Sequence, residues 1–316
     1  MKYEANLEVL NMGVTIFHEV EDANDPLFVM AFSGWNDAAE SATAAARYLV
    51  QHFQGKRVAQ IQPDDFFQFA DQRPTVKLGE SGERQITWPL NEFFYCRTPG
   101  LARDLLVGVG TEPHLKWKHF SRDVLAIGSH YDARMIVTMG ALLAGDLHTQ
   151  PSHLMAIATD PLLVKPSGVD ITRYEGPTGI VGVIHTLMQD EGFPAVSLWV
   201  NVPHYIASLS NPKATRALLD KLSNLGGFEI SLDDFDIAID TFDGQVEQII
   251  AKDPRIAKYV EDIQKGQIPD DIPGLDFQDA FDGEPEEEEG KLPPGAEVAD
   301  EIERLLRRKP SGPESD

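Results

Sequence analysis

The residues of this chain best suited to chemistry are carboxylates and glycines in turns that follow predicted strands. Asp37, Asp160 and Glu175 could act as general acids or metal ligands if the fold brought their turns together. The same residue types more often cap helices and bind loop amides. The candidate ligand-binding site consists of Gly34, Trp35, Asn36, Asp37, Glu112, Asp160, Glu175, Gly176, Thr178, Gly179 and His204.

The turn at residues 174–179, Tyr-Glu-Gly-Pro-Thr-Gly, leads into the apolar residues of a predicted helix. Free backbone N–H groups at a helix start, with Thr178 as the cap and Gly179 allowing close approach, suit a phosphate or a carboxylate. Glycines also let a helix start pack tightly beneath a loop. Phosphate sites usually add basic residues or a metal, and the sequence near this turn offers only Lys165 and Arg173. Anion binding and close packing both stay open.

Metal and nucleophile chemistry find little support in the sequence. The nine histidines include no His-x-His pair and no helical His-x-x-x-His pair, so we predict no metal and no cofactor. The neighbours Ser129, His130 and Asp132 are too close in sequence to form a catalytic triad. The single cysteine, Cys96, lies in an apolar run and is predicted to be a buried hydrophobic residue. For His204, at a strand end, a structural hydrogen bond is the more frequent role.

The elements that must position these residues begin with an apolar strand at 27–33, which breaks into a turn and an alanine-rich helix over 37–53. Asp37 and Glu40 are predicted to form an N-cap pair, and Gly55 to end the helix. This turn lacks both the dinucleotide fingerprint and the nucleotide P-loop. Further helices are predicted over 114–126, 178–190 and 211–225, and strands near 57–62, 85–88, 92–97, 104–110, 134–140, 153–158 and 195–202. The alternation predicts an α/β fold with a mixed, largely parallel sheet.

The pattern changes after Phe228, and we divide the chain into a core at 1–228, a helical annex at 229–267 and an acidic tail at 268–316. The annex is predicted to hold helices near 243–251 and 254–265. The tail begins with a linker of disordered composition. It ends in a short amphipathic helix, which would either dock on its own body or bind a partner, and whose apolar residues are Val298, Ile302, Leu305 and Leu306.

The composition restricts the classes of partner that this protein is expected to bind. The formal net charge of −24 disfavours nucleic acid and anionic membranes, since binding polyanions requires clustered Lys and Arg. No run of eighteen apolar residues and no signal-peptide pattern occurs, so we predict a cytoplasmic protein without a membrane span.

Ordered sequence blocks cover most of residues 27–225: Ser33–Ala38, Asp65–Phe69, Arg73–Pro74, Glu112–Pro113 with Trp117, Gly140–Leu143, Tyr174–Ile180 and Ser197–Thr215. Together these blocks resemble the proteasome assembly chaperone 2-like proteins, in their bacterial branch of uncharacterised members. This resemblance implies a three-layer α/β/α core, like that of purine nucleoside phosphorylases and some peptidases, and a homotrimer. It implies no activity, and the eukaryotic relatives act by binding protein subunits. We therefore predict a noncatalytic, oligomeric protein-binding function, with an enzyme or sensor of a small anionic ligand as the alternative.

Overall fold

A computed structural model describes residues 13–79, 81–98 and 100–267, which belong to one compact unit. The predicted acidic linker and terminal helix, at 268–316, lie outside the described residues. The strands within this part of the chain are β1 (Val14–Ile16), β2 (Leu27–Ser33), β3 (Lys56–Ile61), β4 (Thr75–Leu78), β5 (Arg84–Thr87), β6 (Asn91–Cys96), β7 (Leu105–Thr111), β8 (Ile136–Ala144), β9 (Leu154–Ala158), β10 (Asp170–Ile171) and β11 (Ala195–Pro203). The α-helices are α1 (Ser41–His52), α2 (Trp117–His130), α3 (Ile180–Asp190), α4 (Pro212–Gly226), α5 (Asp234–Lys252) and α6 (Pro254–Gln264).

Nine of these strands form one sheet in the order β1-β3-β6-β7-β2-β8-β11-β9-β10. The central strands β7, β2, β8 and β11 are parallel, whereas β6, β3 and β1 join one side by antiparallel pairing and β9 joins the other side antiparallel to β11. Strands β4 and β5 form a separate antiparallel hairpin. The predicted mixed, largely parallel sheet is confirmed, although the sequence analysis missed the short strands β1, β4 and β10.

Both faces of the sheet are buried because most residues of its central strands are apolar and buried. Alternate residues of β2 point to opposite faces, and its first six residues are at most 1% exposed. Leu27 packs with residues of α1 and α4 on one face, and Phe28 packs with residues of α2 and α3 on the other. The arrangement is the three-layer α/β/α core that the resemblance implied.

Helix α1 approaches the sheet closely because Ala42, Ala45 and Ala46 are completely buried against it. The prediction that Asp37 and Glu40 together cap this helix is wrong for Glu40. The helix begins at Ser41, after a 3-10 turn at Ala38–Glu40, and the capping carboxylate is that of Asp37. No capping bond from the Glu40 side chain is present among the described residues, since Glu40 has a left-handed backbone and its side chain is exposed.

The annex consists of two helices, and the first is longer than predicted. Helix α5 starts at Asp234 rather than near residue 243, because Phe235, Phe242 and Val246 form a buried stripe that acidic residues interrupt in the sequence. Together with Tyr259 and Val260 of α6, part of this stripe packs on Tyr205. In the part of the chain that the structure describes, no helix has the length and apolar character needed to cross a membrane.

Candidate functional site

The candidate site lies at the carboxyl edge, which we define as the edge of the sheet where β2, β7, β8 and β11 end, at Ser33, Thr111, Ala144 and Pro203. Ligands in open α/β sheets bind at this edge. The backbone N–H of Glu112 donates to the carbonyl of Ser33 over 2.9 Å. The backbone N–H of Ala141 donates to the carbonyl of Asn36 over 2.8 Å. The turns after β2 and β7 are therefore joined to each other and to β8.

The Glu112 side chain links these turns to the start of helix α3. Its Oε1 atom accepts a hydrogen bond of 2.7 Å from Asn36 Nδ2 and one of 2.8 Å from the backbone N–H of Ile180. The first N–H groups of a helix lack partners within the helix, and the helix dipole favours a negative group there. Glu112 therefore occupies the position at which an external anion would bind.

Asn36, Glu112 and the start of α3 form what we call the junction. Gly179 permits the junction because a side chain at position 179 would overlap with it. A Cβ atom at Gly179 would lie 2.2 Å from Asn36 Nδ2 and 2.6 Å from Glu112 Oε1. Its backbone has an ordinary extended conformation, with φ at −95° and ψ at −168°. The glycine is therefore required by close approach rather than by backbone conformation. Of the two interpretations left open at this turn, the geometry favours close packing over an anion cradle.

The polar groups of the junction are mainly acceptors. Asn36 is 1% exposed, and its Oδ1 atom has no hydrogen-bond partner within the described residues. The orientation of the amide is fixed, because the Glu112 carboxylate can only accept and so must face Nδ2. A negatively charged ligand would meet the Glu112 carboxylate and the Asn36 carbonyl, which makes the junction unfavourable for phosphate.

The Asp37 carboxylate is held by hydrogen bonds at the start of α1. Its carboxylate accepts from the backbone N–H of Ala42 at 2.7 Å and from the backbone N–H and hydroxyl of Thr43. Burial raises the pKa of Asp37 above its usual value, although the hydrogen bonds from Thr43 and Ala42 oppose this shift. These contacts describe a helix cap, and Asp37 makes them with its own helix.

The remaining acidic candidates do not join Asp37 and Glu112. Strand β9 runs antiparallel to β11, with Ala158 opposite Val196, so Asp160 lies at the opposite edge of the sheet. There its side chain caps a short 3-10 turn by accepting from the N–H of Leu162. The expectation that Asp160 shares the site is wrong for this topological reason. Glu175, Gly176 and Thr178 do lie at the start of α3, but all three are exposed.

Two buried histidines and the partly buried His148 have structural partners. His204 Nδ1 lies 2.7 Å from the carbonyl oxygen of Ala144, and its ring packs edge-on against Tyr259 of α6. His148 contacts the Tyr205 hydroxyl, and His185 contacts that of Ser197. Burial lowers the pKa of His148, His185 and His204, so each favours the neutral form.

The other candidate nucleophiles and ligands are also accounted for. Cys96 is fully buried, and desolvation raises the pKa of its thiol to about 12, as expected of a packing residue. His130 pairs with Glu19 at 3.0 Å rather than with Ser129 or Asp132. Within the described ranges, no group of three or more His, Cys, Asp or Glu side chains is arranged to hold a metal ion.

One charged residue that the sequence analysis missed is Asp123, in helix α2. Asp123 is 0% exposed, and neither of its carboxylate oxygens has a hydrogen-bond partner among the residues described. Its nearest ionic neighbour is His119, with Nε2 at 3.9 Å from Oδ2. Desolvation raises the pKa of Asp123 to about 6. The sequence contained a signal for the burial of Asp123, because this residue shares the helical stripe of Phe120, Val124 and Ile127.

Exposed apolar side chains surround the junction at the carboxyl edge. Trp35 follows β2 and is 51% exposed, and Tyr174 precedes α3 and is 57% exposed. Leu115 follows β7, and Leu143 lies at the end of β8; both are also exposed. Large apolar side chains gathered at one edge are typical of protein–protein contact surfaces.

This fold and edge define the class of the molecule as a three-layer α/β/α protein whose ligand edge is closed by its own side chains. The family model described as PAC2 matches residues 31–250, so the chain belongs to the PAC2 family. The resemblance found in the sequence blocks is thereby confirmed.

Solved structures agree with this assignment. The chain is 34% identical to a Mycobacterium tuberculosis proteasome-assembly chaperone homologue, with 74% of this chain and 99% of that chain covered and a TM-score of 0.68. It is 36% identical to a PAC2 family protein from Streptomyces avermitilis, with 75% and 100% covered and a TM-score of 0.68. Pyrococcus furiosus PbaB, an archaeal proteasome activator, is 20% identical, with 75% and 98% covered and a TM-score of 0.59, and shows the fold alone. No match is found among curated proteins.

Proposed function

We propose that this protein is a noncatalytic, homo-oligomeric protein-binding protein with a role like that of an assembly chaperone. Membership of the PAC2 family supports this proposal, as does the similarity to a mycobacterial protein described as a proteasome-assembly chaperone homologue. In this proposal the protein acts in the cytoplasm and forms a trimer. In the same proposal, the acidic tail and the short helix predicted at its end add a second binding surface for a protein partner.

One observation supports the proposal more than any other. The start of α3, where α/β proteins often bind an anion, is capped by the protein's own Glu112 carboxylate, which accepts from Ile180 and Asn36. Trp35 and Tyr174 stand exposed beside this closed junction. An edge that binds its own carboxylate and exposes aromatic rings is better suited to contacting a protein surface than to turning over a small anion.

The experiment compares variants at the carboxyl edge with a variant at the opposite edge of the sheet. Trp35→Ser combined with Tyr174→Ser removes the exposed aromatics, and Leu162→Ser removes an exposed apolar side chain from the opposite edge. In pull-downs with tagged protein, we expect the double variant to lose captured partners that Leu162→Ser retains. Deletion after Phe281 tests the tail separately, and we expect the shortened protein to fold while losing partners held by the tail.

The same preparations test the alternative small-ligand function. A thermal-shift screen with phosphate, nucleosides, nucleotides and amino acids should show no selective rise in melting temperature, since a ligand of the native state would raise it by mass action. Turnover of a small substrate at ordinary enzyme rates, or a melting shift that depends on Gly179, would overturn the noncatalytic proposal.

A further inference from the structure

A cleft lies between helices α1 and α5, on the face of the sheet that α1 and α4 cover. Its volume is about 560 Å³, which is within the usual range for small-molecule sites. Ala44 of α1 and Phe235 and Phe242 of α5 line it, together with Ser210 and Asn211 before α4. We call this cavity the α1–α5 cleft. Its size suits a ligand that contains an aromatic ring.

The α5 side of the cleft is uncharged, although α5 is an acidic helix. Five Asp and Glu residues occur between Asp234 and Lys252, and none of them lines the cleft. The α5 residues that do line it recur at steps of three or four, which places them on one side of the helix. This helix therefore contributes apolar and neutral polar groups to the cleft, from Phe235, Ala238, Thr241, Phe242 and Gln245.

The charge of the cleft comes from α1. Among the described residues that line the cleft, Arg47 alone has a charged side chain. Its guanidinium donates to Thr43 Oγ1 over 3.2 Å, and the Thr43 hydroxyl in turn donates to the buried Asp37 carboxylate. Within the described ranges, no direct ion pair joins Arg47 to a carboxylate. Most of the N–H donors of this guanidinium are therefore available to a ligand.

The backbone beside the cleft is strained at two consecutive residues. Ala39, which lines the cleft, has φ at 54°, and Glu40 also has φ at 54°. Residues with a Cβ atom rarely adopt this left-handed conformation, and strained backbone is concentrated at functional sites such as ligand clamps. The strained turn connects Asp37 to the start of α1, so it contributes to the position of Thr43 and of the Arg47 guanidinium.

The ligand that suits this lining has an apolar body and a single carboxylate. A guanidinium binds a carboxylate through two parallel hydrogen bonds, and aromatic rings favour an apolar body. One positive group balances one negative charge, so a nucleotide would leave phosphate charges unpaired in the cleft. An amino acid would bring its α-ammonium group close to the Arg47 guanidinium. The lining therefore favours an aryl or alkyl monocarboxylate without an amine.

We infer that the α1–α5 cleft binds an apolar monocarboxylate, with the carboxylate on Arg47 and the body against Phe235 and Phe242. This site goes beyond the proposed protein-binding function, because it requires no protein partner. None of the residues that line the cleft belongs to the junction at the carboxyl edge.

The test uses phenylbutyrate as the probe, with the full-length protein and isothermal titration calorimetry at neutral pH. We expect saturable binding to the wild-type protein. Phenylbutanol has the same body without the charge, and phenylbutylamine reverses the charge. We expect each to bind more weakly than phenylbutyrate by about tenfold or more, because the charge-assisted hydrogen bonds to the guanidinium are lost.

Two variants locate the binding in the cleft by different means. Arg47→Gln removes the cation, and Ala238→Trp fills the cleft with an indole ring while leaving Arg47 in place. We expect each variant to raise the dissociation constant for phenylbutyrate by about tenfold or more. Both altered side chains are exposed, and the thermal unfolding of each variant checks that it folds.

The matched control is Arg122→Gln. Arg122 is an exposed arginine of α2, which packs on the opposite face of the sheet. Its replacement changes the net charge as Arg47→Gln does. We expect the dissociation constant for phenylbutyrate to stay within about twofold of the wild-type value, because a distant surface charge is screened by salt.

Three results would overturn the assignment of this site. The first is a wild-type protein that does not bind phenylbutyrate. The second is equally tight binding of phenylbutanol, which would mean adsorption on an apolar surface without a contribution from Arg47. The third is binding that persists in both Arg47→Gln and Ala238→Trp, which would place the ligand elsewhere. The proposed protein-binding function is judged separately, by the pull-downs.

Discussion

Two acidic side chains on the α2–α3 side of the sheet have opposite surroundings. Glu112 receives two hydrogen bonds, from Asn36 and from the first N–H group of α3. Asp123 is completely buried in α2, and the described residues supply no hydrogen-bond donor to either of its oxygens. The same functional group thus lies at a helix start in one region and among apolar residues in the other.

The difference shows that the effect of a carboxylate on the fold depends on whether hydrogen-bond donors surround it. A carboxylate with N–H donors replaces the water it loses, and it stabilises the helix end that it caps. A carboxylate without donors loses solvation with no replacement, which is why the pKa of Asp123 rises to about 6. We therefore expect removal of the two groups to change stability in opposite directions at neutral pH.

We expect the largest change in stability from Gly179→Ala, because the added methyl group disrupts the contacts of Glu112 by steric overlap. The added methyl group would overlap Asn36 Nδ2 and Glu112 Oε1, and it would force both away from the start of α3. We expect the free energy of unfolding to fall by about 3 kcal/mol, from overpacking and from the lost hydrogen bonds. Urea unfolding followed by circular dichroism measures this change.

The control for this variant is Gly244→Ala in helix α5, where an added Cβ meets no atom within 4 Å. This change should stabilise the protein by up to about 1 kcal/mol, because alanine is the better helix former. If Gly179→Ala were as well tolerated as Gly244→Ala, the close approach of Glu112 to α3 would be wrong.

A smaller effect of the opposite sign is expected from Asp123→Asn. The folded-state pKa of about 6 lies above the ordinary value of 3.8, so ionised Asp123 destabilises the fold above pH 6. As the pH falls from 6 towards 4, the folded protein takes up this proton first and the penalty disappears. We expect Asp123→Asn to raise the free energy of unfolding by about 2 kcal/mol at pH 7.5 and by almost nothing at pH 4.

Asp64→Asn is the matched control, since Asp64 is exposed in a loop. It should leave the free energy of unfolding nearly unchanged at both pH values. If Asp123→Asn were neutral or destabilising at pH 7.5, Asp123 would have a donor or a counter-ion when folded. The comparison with Glu112 would then lose its basis.

How much of this could be predicted from sequence depends on the range of each interaction. The cap by Asn211 and the buried leucines of α4 are local, and the predicted helix at 211–225 is confirmed as Pro212–Gly226. Asp37 was also recognised as a cap from its place before α1. By contrast, Glu112 reaches a helix that starts 68 residues later, and no local pattern encodes that contact.

Strand direction explains the other errors at the site. Asp160 follows a strand as Asp37 does, and the sequence gives no indication that β9 runs against β11 and takes Asp160 to the other edge. Asp123 could have been noticed, because an acidic residue within an apolar helical stripe predicts a buried charge. Strand β4 was missed because alternation over four residues is a weak signal, whereas its partner β5 was predicted near 85–88.

The smallest effect, and the one that defines the junction most sharply, is the coupling between Asn36 and Glu112. A double-mutant cycle with Asn36→Ala and Glu112→Ala isolates their hydrogen bond of 2.7 Å, because Glu112 keeps its bond to Ile180 when Asn36 is removed. We expect a coupling of about 1 kcal/mol from urea unfolding.

A second cycle, with Asn36→Ala and Asp123→Asn, provides the control, because no hydrogen bond joins these two residues in the part of the chain that the structure describes. Their effects should add to within about 0.5 kcal/mol. A coupling in the first cycle as small as that in the second would mean that Glu112 caps α3 without help from the turn after β2. The carboxyl edge would then consist of two independent caps, and Trp35 and Tyr174 would have no shared structural support.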